Sequence, residues 1–119
     1  MNEILTYKQA MPYIRKVKTY LRAMSSMEFY IKNPINNTTL VNTQNTLTQV
    51  KLAFNSIENK TIQDVIEYCF IHNHTSAEAA KKFSYSFSSI CRFKRNGLSK
   101  IAKSLFGVII QPIEERVKT

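Results

Sequence analysis

Apolar residues recur at three- and four-residue steps along most of this chain, which is the spacing of helices that bury one face. The 119 residues include only two glycines and three prolines, so few positions suit the tight turns of β-hairpins. A chain of this length has room for one small hydrophobic core. The sequence therefore predicts an all-α fold, a small helical bundle that begins with an amphipathic helix.

The leading helix is predicted over residues 13–32, with Pro12 in its first turn, where the missing N–H costs nothing. One side is apolar and consists of Tyr13, Val17, Tyr20, Leu21, Met24, Met27 and Ile31. The other side is basic and carries Arg15, Lys16, Lys18 and Arg22. Such a basic side is more often a solvated helix face than a phosphate-binding surface, and both interpretations keep the helix.

A polar, uncharged stretch from Asn33 to Thr46 predicts a loop or linker. It is the one plausible internal boundary in the sequence. We therefore divide the chain into residues 1–46, the leading helix with its linker, and residues 47–119, a second helical unit.

Residues 61–75 predict a short helix followed by a polar turn. Thr61 is a good N-cap, and Asp64 stands three residues later, as in a capping box. The polar turn covers residues 72–75.

Residues 76–105 predict two helices joined by a tight corner, and this segment is the most informative part of the chain. Ser76 is a good N-cap for the first helix, Ala79 and Ala80 are small enough for a close helix crossing, and Ser86 caps the longer second helix. The buried side of that second helix is predicted to comprise Ile90, Phe93, Gly97, Leu98, Ile101, Ala102 and Leu105. This arrangement is that of a helix-turn-helix.

Positive charge is concentrated on the same segment. The chain carries a net charge of +9, and residues 84–106 contain five basic side chains and no acidic one. A basic helix that follows a short helix and a corner suits the DNA major groove, where arginine can bond guanine and asparagine can bond adenine. We expect double-stranded DNA as the partner, although helix pairs with a basic side also occur in domains that bind no nucleic acid.

The segment 86–105 resembles the recognition-helix signature of the ArpU and RinA-like phage transcriptional regulators, a module similar to region 4 of sigma factors. The resemblance is carried by the opening serine, by Arg92-Phe93-Lys94, by Gly97-Leu98, and by the closing Lys-x-Ala-x-x-Leu at 100–105. Residues 66–70 and 79–83 also match helices of that family, so the resemblance covers about half of the chain well. The rest, including the leading helix over 13–32, matches only in outline. Two positions depart from the pattern: Cys91 replaces an aromatic residue, and Gly97 replaces alanine, which lowers helix propensity by about 1 kcal/mol.

The resemblance implies a sequence-specific regulator of late phage or prophage genes whose DNA-binding domain lies within residues 47–119. It further implies host RNA polymerase as a candidate partner. Apart from the resemblance, the tyrosine and methionine side of the leading helix could hold a protein partner or a second copy of the chain. The base-reading candidates are Ser88, Ser89, Arg92, Arg95 and Asn96. The phosphate-binding candidates are Ser86, Lys94, Lys100 and Lys103.

Two other kinds of function are compatible with the same helices. A small phage-encoded adaptor or inhibitor would use the helices to hold a protein partner, and a small terminase subunit or an excisionase would use the same DNA-binding module for another task. A target DNA with two half-sites would favour a dimeric regulator. An acidic protein partner with no DNA affinity would favour the adaptor.

Catalysis and metal binding have little support in the sequence. It contains no glycine-rich phosphate loop and no spacing that indicates a catalytic triad or a carboxylate pair, so we expect no enzyme and no cofactor. The trio Cys69, His72 and His74 could bind zinc with a fourth ligand from elsewhere. Because Cys69 fits the buried stripe of its helix, we expect no metal there.

The cellular location is predicted from what the sequence lacks. The two cysteines do not have the spacing of a secreted disulfide framework, and no apolar run approaches the roughly 20 residues of a membrane span. The first residues do not resemble an export signal. We expect a cytoplasmic protein of the bacterial host cell, with no membrane partner.

Overall fold

The computed structural model describes residues 4–32 and 38–111 of the chain, and side chains within 4–24 and 45–111. Within these ranges the regular secondary structure is helical apart from one pair of two-residue strands. The α-helices are α1 (Met11–Lys32), α2 (Thr38–Asn55), α3 (Lys60–Ile66), α4 (Ser76–Phe83) and α5 (Phe87–Phe106). One π-helical turn, Glu67–Ile71, continues α3. The predicted all-α fold is confirmed.

The strand pair joins the two ends of the described chain. Strand β1 (Ile4–Leu5) lies parallel to β2 (Ile109–Ile110), and the Gln111 N–H donates to the Leu5 carbonyl at 2.8 Å. Because β2 follows α5 directly, the pair lies beside the last helix. Sequence periodicity did not predict these strands.

Two predicted helix caps are wrong by one or two residues. The N-cap of α3 is Asn59, not Thr61, and its side chain accepts a hydrogen bond from the Ile62 N–H. The N-cap of α4 is Thr75, not Ser76, because Glu78 stands three residues after Thr75 and completes a reciprocal capping box.

The predicted loop at residues 33–46 is helical from Thr38 onward, which corrects the linker prediction. Residues 33–37 lie outside the described residues. The asparagine, threonine and glutamine of this stretch have modest helix propensity, and they form the first part of the longer helix α2. Further along α2, Leu47, Val50 and Phe54 are buried and fix the helix against its neighbours.

The core is shared between the leading helix and the C-terminal helices, on both sides of the predicted boundary at residue 46. Helix α1 contributes Ile14, Val17 and Leu21, all fully buried. Tyr13, Tyr20 and Met24 are half-buried as its apolar side predicts, whereas Met27 and Ile31 lie outside the described side chains. Helix α5 contributes Ile90, Leu98, Ile101 and Ala102, with Gly97 also buried, as predicted.

Candidate nucleic-acid interface

The α4–α5 unit forms a compact helix pair with a three-residue corner. Helix α4 ends at Phe83, Ser84 adopts the left-handed conformation with φ of 61°, and Ser86 caps α5. Ser84 in this conformation ends α4 and turns the chain toward α5. Ala79 is fully buried in the helix crossing, where its small side chain allows close approach. The prediction of two helices around a tight corner is confirmed.

Ser86 starts α5 with two hydrogen bonds to Ser89. Its hydroxyl oxygen accepts from the Ser89 N–H at 3.1 Å, and its O–H donates to Ser89 Oγ at 2.9 Å. Ser89 Oγ also accepts from Arg92 Nη2 at 3.4 Å. The predicted Ser86 cap is confirmed, and both serines are occupied in holding the first turn of α5.

A groove of about 620 Å³ runs along the side of α5 that faces away from the core. Its first wall is α5 itself, and its second wall is Tyr7 together with the residues of β2. The α5 residues of this groove are Phe87, Ser88, Cys91, Arg92, Arg95, Asn96, Ser99, Lys100 and Lys103. The second wall consists of Tyr7, Ile109, Ile110 and Gln111.

The groove is strongly cationic. Arg92, Arg95, Lys100 and Lys103 all line it, and aspartate and glutamate are absent from the described residues of its walls. The Arg95 guanidinium carbon lies 6.0 Å from the centre of the Tyr7 ring, so this arginine spans the groove. Burial raises the pKa of the Tyr7 hydroxyl, and the positive charge of Arg95 partly opposes that shift. Tyr7 is therefore a neutral hydrogen-bonding group at physiological pH.

Six of the nine predicted site residues meet in this groove: Ser88, Arg92, Arg95, Asn96, Lys100 and Lys103. Ser86 and Ser89 lie just outside it, in the capping network at the start of α5. The structure thus brings together four of the five base-reading candidates and two of the four phosphate-binding candidates.

Lys94 lies apart from the other predicted site residues. Its ammonium group donates to Ser76 Oγ at 2.6 Å and lies 5.1 Å from the centre of the Phe70 ring. Those contacts place Lys94 on the side of α5 that faces α4 and the π-helical turn. It cannot act in the groove with Arg92 and Arg95.

Seven residues that line the groove are not among the predicted site residues: Tyr7, Phe87, Cys91, Ser99, Ile109, Ile110 and Gln111. The prediction rests on side chains that bond base edges or phosphates, and Phe87 and Cys91 are not of that kind. Both stand in line with Arg95 at four-residue steps, and that spacing could have found them. Phe87 is 58% exposed at the first position of α5. No sequence pattern indicated Tyr7 or β2, because a two-residue strand is too short to show an alternation of apolar and polar residues.

The two cysteines should react at very different rates. Cys69 is 4% exposed, and burial raises the pKa of its thiol, which reduces the reactive thiolate at neutral pH. Cys91 lies in the groove wall and is only partly covered. We expect N-ethylmaleimide to modify Cys91 first in the native protein, measured by mass spectrometry of peptides over time. Cys91→Ser is the control, and faster modification of Cys69 would contradict the open groove.

The residues considered for zinc have other contacts. Cys69 is buried in the core, and His72 Nε2 lies 3.2 Å from Glu67 Oε2. The His74 ring stacks on Tyr68 with 3.9 Å between ring centres. Among the residues that the structure describes, no three histidine, cysteine, aspartate or glutamate side chains converge as a metal site would require.

Comparison with known protein families, with curated proteins and with solved structures found no match for this chain. None of the helices within the described ranges has both the length and the apolar character needed to cross a bilayer.

Proposed function

We propose that this protein is a sequence-specific DNA-binding protein that places α5 in the major groove of double-stranded DNA. The observation that carries the proposal is that two features lie on the same surface. The solvent side of the second helix in a helix-turn-helix pair is also the wall of an acid-free groove with four cationic side chains. DNA binding needs both features on one surface.

The chemistry of the first turns of α5 suits base recognition. In helix-turn-helix complexes the N-terminal residues of the second helix contact base edges. Here those residues include Phe87, Ser88 and Arg92. Arginine can bond O6 and N7 of guanine, serine can contact a base edge, and an exposed phenylalanine can pack on the methyl group of thymine.

Lys100 and Lys103 suit phosphates rather than bases. At a rise of 1.5 Å per residue, they lie about 12 and 16 Å along the helix from Arg92. The DNA major groove is about 12 Å wide. With Arg92 at the floor of the major groove, the two lysines therefore reach its edge. The phosphate backbone runs along that edge.

The place of the protein in transcription follows from the resemblance of residues 86–105 to the ArpU and RinA-like regulators. On that basis we propose regulation of late phage or prophage genes in the host cytoplasm. Host RNA polymerase and a second copy of the chain are the proposed protein partners. The fold by itself supports DNA recognition and does not select the regulatory task.

A salt titration tests DNA binding directly. The purified chain is titrated into a duplex selected from a random-sequence pool and into a scrambled duplex, at several salt concentrations, with fluorescence anisotropy as the readout. We expect the logarithm of the association constant to fall linearly with the logarithm of salt, and the selected duplex to bind more tightly. Duplex that occupies the groove should also slow the modification of Cys91.

Replacing Lys100 by alanine should weaken binding to both duplexes equally and reduce the salt slope by about one. The control is Lys51→Ala, which removes an exposed charge from α2, a helix with no residue in the groove. Failure of the unaltered protein to bind either duplex at low salt would refute the proposal and favour a protein partner.

A further inference from the structure

We propose that α1 and Lys94 form a second phosphate-contact surface for the same duplex, separate from the groove along α5. We call this surface the flank patch, and it consists of Arg15, Lys18, Arg22 and Lys94. The inference rests on the proposed DNA binding and extends it, because it assigns the leading helix a role in holding the backbone.

The four cations of the flank patch come from two helices that meet over one aromatic ring. Phe70 is 3% exposed, and both Arg22 and Lys94 lie over its ring, at 5.9 and 5.1 Å from the centre. Arg15 and Lys18 stand seven and four residues before Arg22, on the same side of α1. From the sequence alone, Lys94 is a phosphate-binding candidate of α5, and the basic side of α1 is more often a solvated face than a phosphate-binding surface.

The positive charges of the flank patch are not neutralised within the described part of the protein. The pKa of Lys18 is lowered, first by burial and then by the charges of Lys94, Arg22 and Arg15. Ion pairs between described side chains occur elsewhere, as between Lys60 and Asp64 at 2.9 Å. The core holds α1 in place through fully buried residues, so the fold keeps like charges together against their repulsion. A polyanion would relieve that repulsion.

The position of Lys94 favours a DNA backbone as that polyanion. Lys94 is tied to Ser76, the first residue of α4. In helix-turn-helix complexes the first helix of the pair crosses the phosphate backbone while the second enters the major groove. A duplex docked on α5 therefore brings phosphates past α4, where the flank patch begins. Arginine and lysine side chains are the usual partners of such phosphates.

The test compares salt slopes of charge variants of the full chain on the selected duplex and on the scrambled duplex. The variant Lys18→Gln/Arg22→Gln should reduce the slope by about 1.8, because each phosphate contact contributes about 0.9. That change makes the loss of affinity between 50 and 200 mM salt about tenfold smaller than for the unaltered protein. Both duplexes should be affected alike, since phosphate contacts carry no sequence information.

Two controls separate phosphate contact from a loss of charge or of folding. Lys51→Gln removes one exposed charge from α2 and should leave the slope unchanged. Lys18→Arg/Arg22→Lys keeps both charges and should keep the slope. If the double glutamine variant unfolds early in a thermal scan, Arg15→Gln, at an exposed position, should still reduce the slope by about 0.9.

The outcomes distinguish this inference from the proposal on which it rests. If the unaltered protein binds duplex and the glutamine variants keep its salt slope, the flank patch does not contact phosphates, and the inference is wrong while DNA binding by α5 stands. If the unaltered protein binds no duplex, both are wrong. If the glutamine variants keep the DNA affinity and salt slope of the unaltered protein but no longer bind an acidic protein, the flank patch holds a protein partner. The inference is then also wrong.

Discussion

Replacing Arg92 by alanine should lower the affinity of the protein for its selected duplex by about 5- to 150-fold, or about 1–3 kcal/mol. The expected loss is specific because Arg92 lies in the first turns of α5 and lines the groove. A guanidinium there can form two hydrogen bonds to one guanine, and alanine forms none. Affinity for the scrambled duplex should fall much less, and the position opposite Arg92 should lose its base preference.

The same substitution should leave the fold intact. The Arg92 side chain is exposed, donates a hydrogen bond to Ser89 Oγ and has its guanidinium carbon 5.8 Å from the centre of the Phe93 ring. Substitutions at such sites change stability by about 0.5 kcal/mol or less. Circular dichroism and a thermal scan check this point. If Arg92→Ala unfolds, Arg92 belongs to the packed side of α5, and the packed and solvent sides of the helix are assigned wrongly.

Two further variants sharpen the test of base reading. Arg92→Lys keeps the charge but loses the planar, two-pronged donor, so it should recover affinity for the scrambled duplex without recovering specificity. Lys100→Ala should weaken binding to both duplexes alike. Equal effects of Arg92→Ala and Lys100→Ala on the two duplexes would mean that Arg92 contacts phosphate and that bases are read elsewhere.

The helix pair could be predicted from sequence because its signals are local. The Ser86 cap, the small residue at the helix crossing and the apolar spacing of α5 each act within a few residues. The predicted caps of α3 and α4 are misplaced because a second good capping residue stands two positions before Thr61 and one position before Ser76. For α4, the reach of the Glu78 side chain to the Thr75 N–H decides between the two candidates.

The parts of the site that could not be predicted depend on contacts between distant residues. Tyr7 and β2 come from opposite ends of the described chain and meet only in the folded protein. The apolar spacing of α5 places Lys94 at the edge of its packed side, which leaves its contacts undetermined. Its actual position follows from Ser76 and Phe70, which no helical wheel of α5 includes.

Gly97→Ala should destabilise the protein although alanine is the better helix former. Helix propensity alone would favour the variant by about 1 kcal/mol. The added Cβ, however, would lie 2.5 Å from Ile66 Cγ1 and 2.7 Å from Ile66 Cδ1. Ile66 is fully buried and has little room to shift, and overpacking of this kind costs about 1–3 kcal/mol. The expected net loss is up to about 2 kcal/mol, measured by chemical unfolding.

The sign of that effect should reverse when Ile66 is truncated. Ile66→Ala by itself should cost about 2–5 kcal/mol through the cavity that it leaves. In that background the two closest contacts of the added Cβ are gone and only Ile62 Cγ2, at 3.1 Å, must shift slightly. The second substitution should then raise stability by up to about 1 kcal/mol through helix propensity. Stabilisation by Gly97→Ala in the unaltered protein would contradict the close approach of α3 and α5.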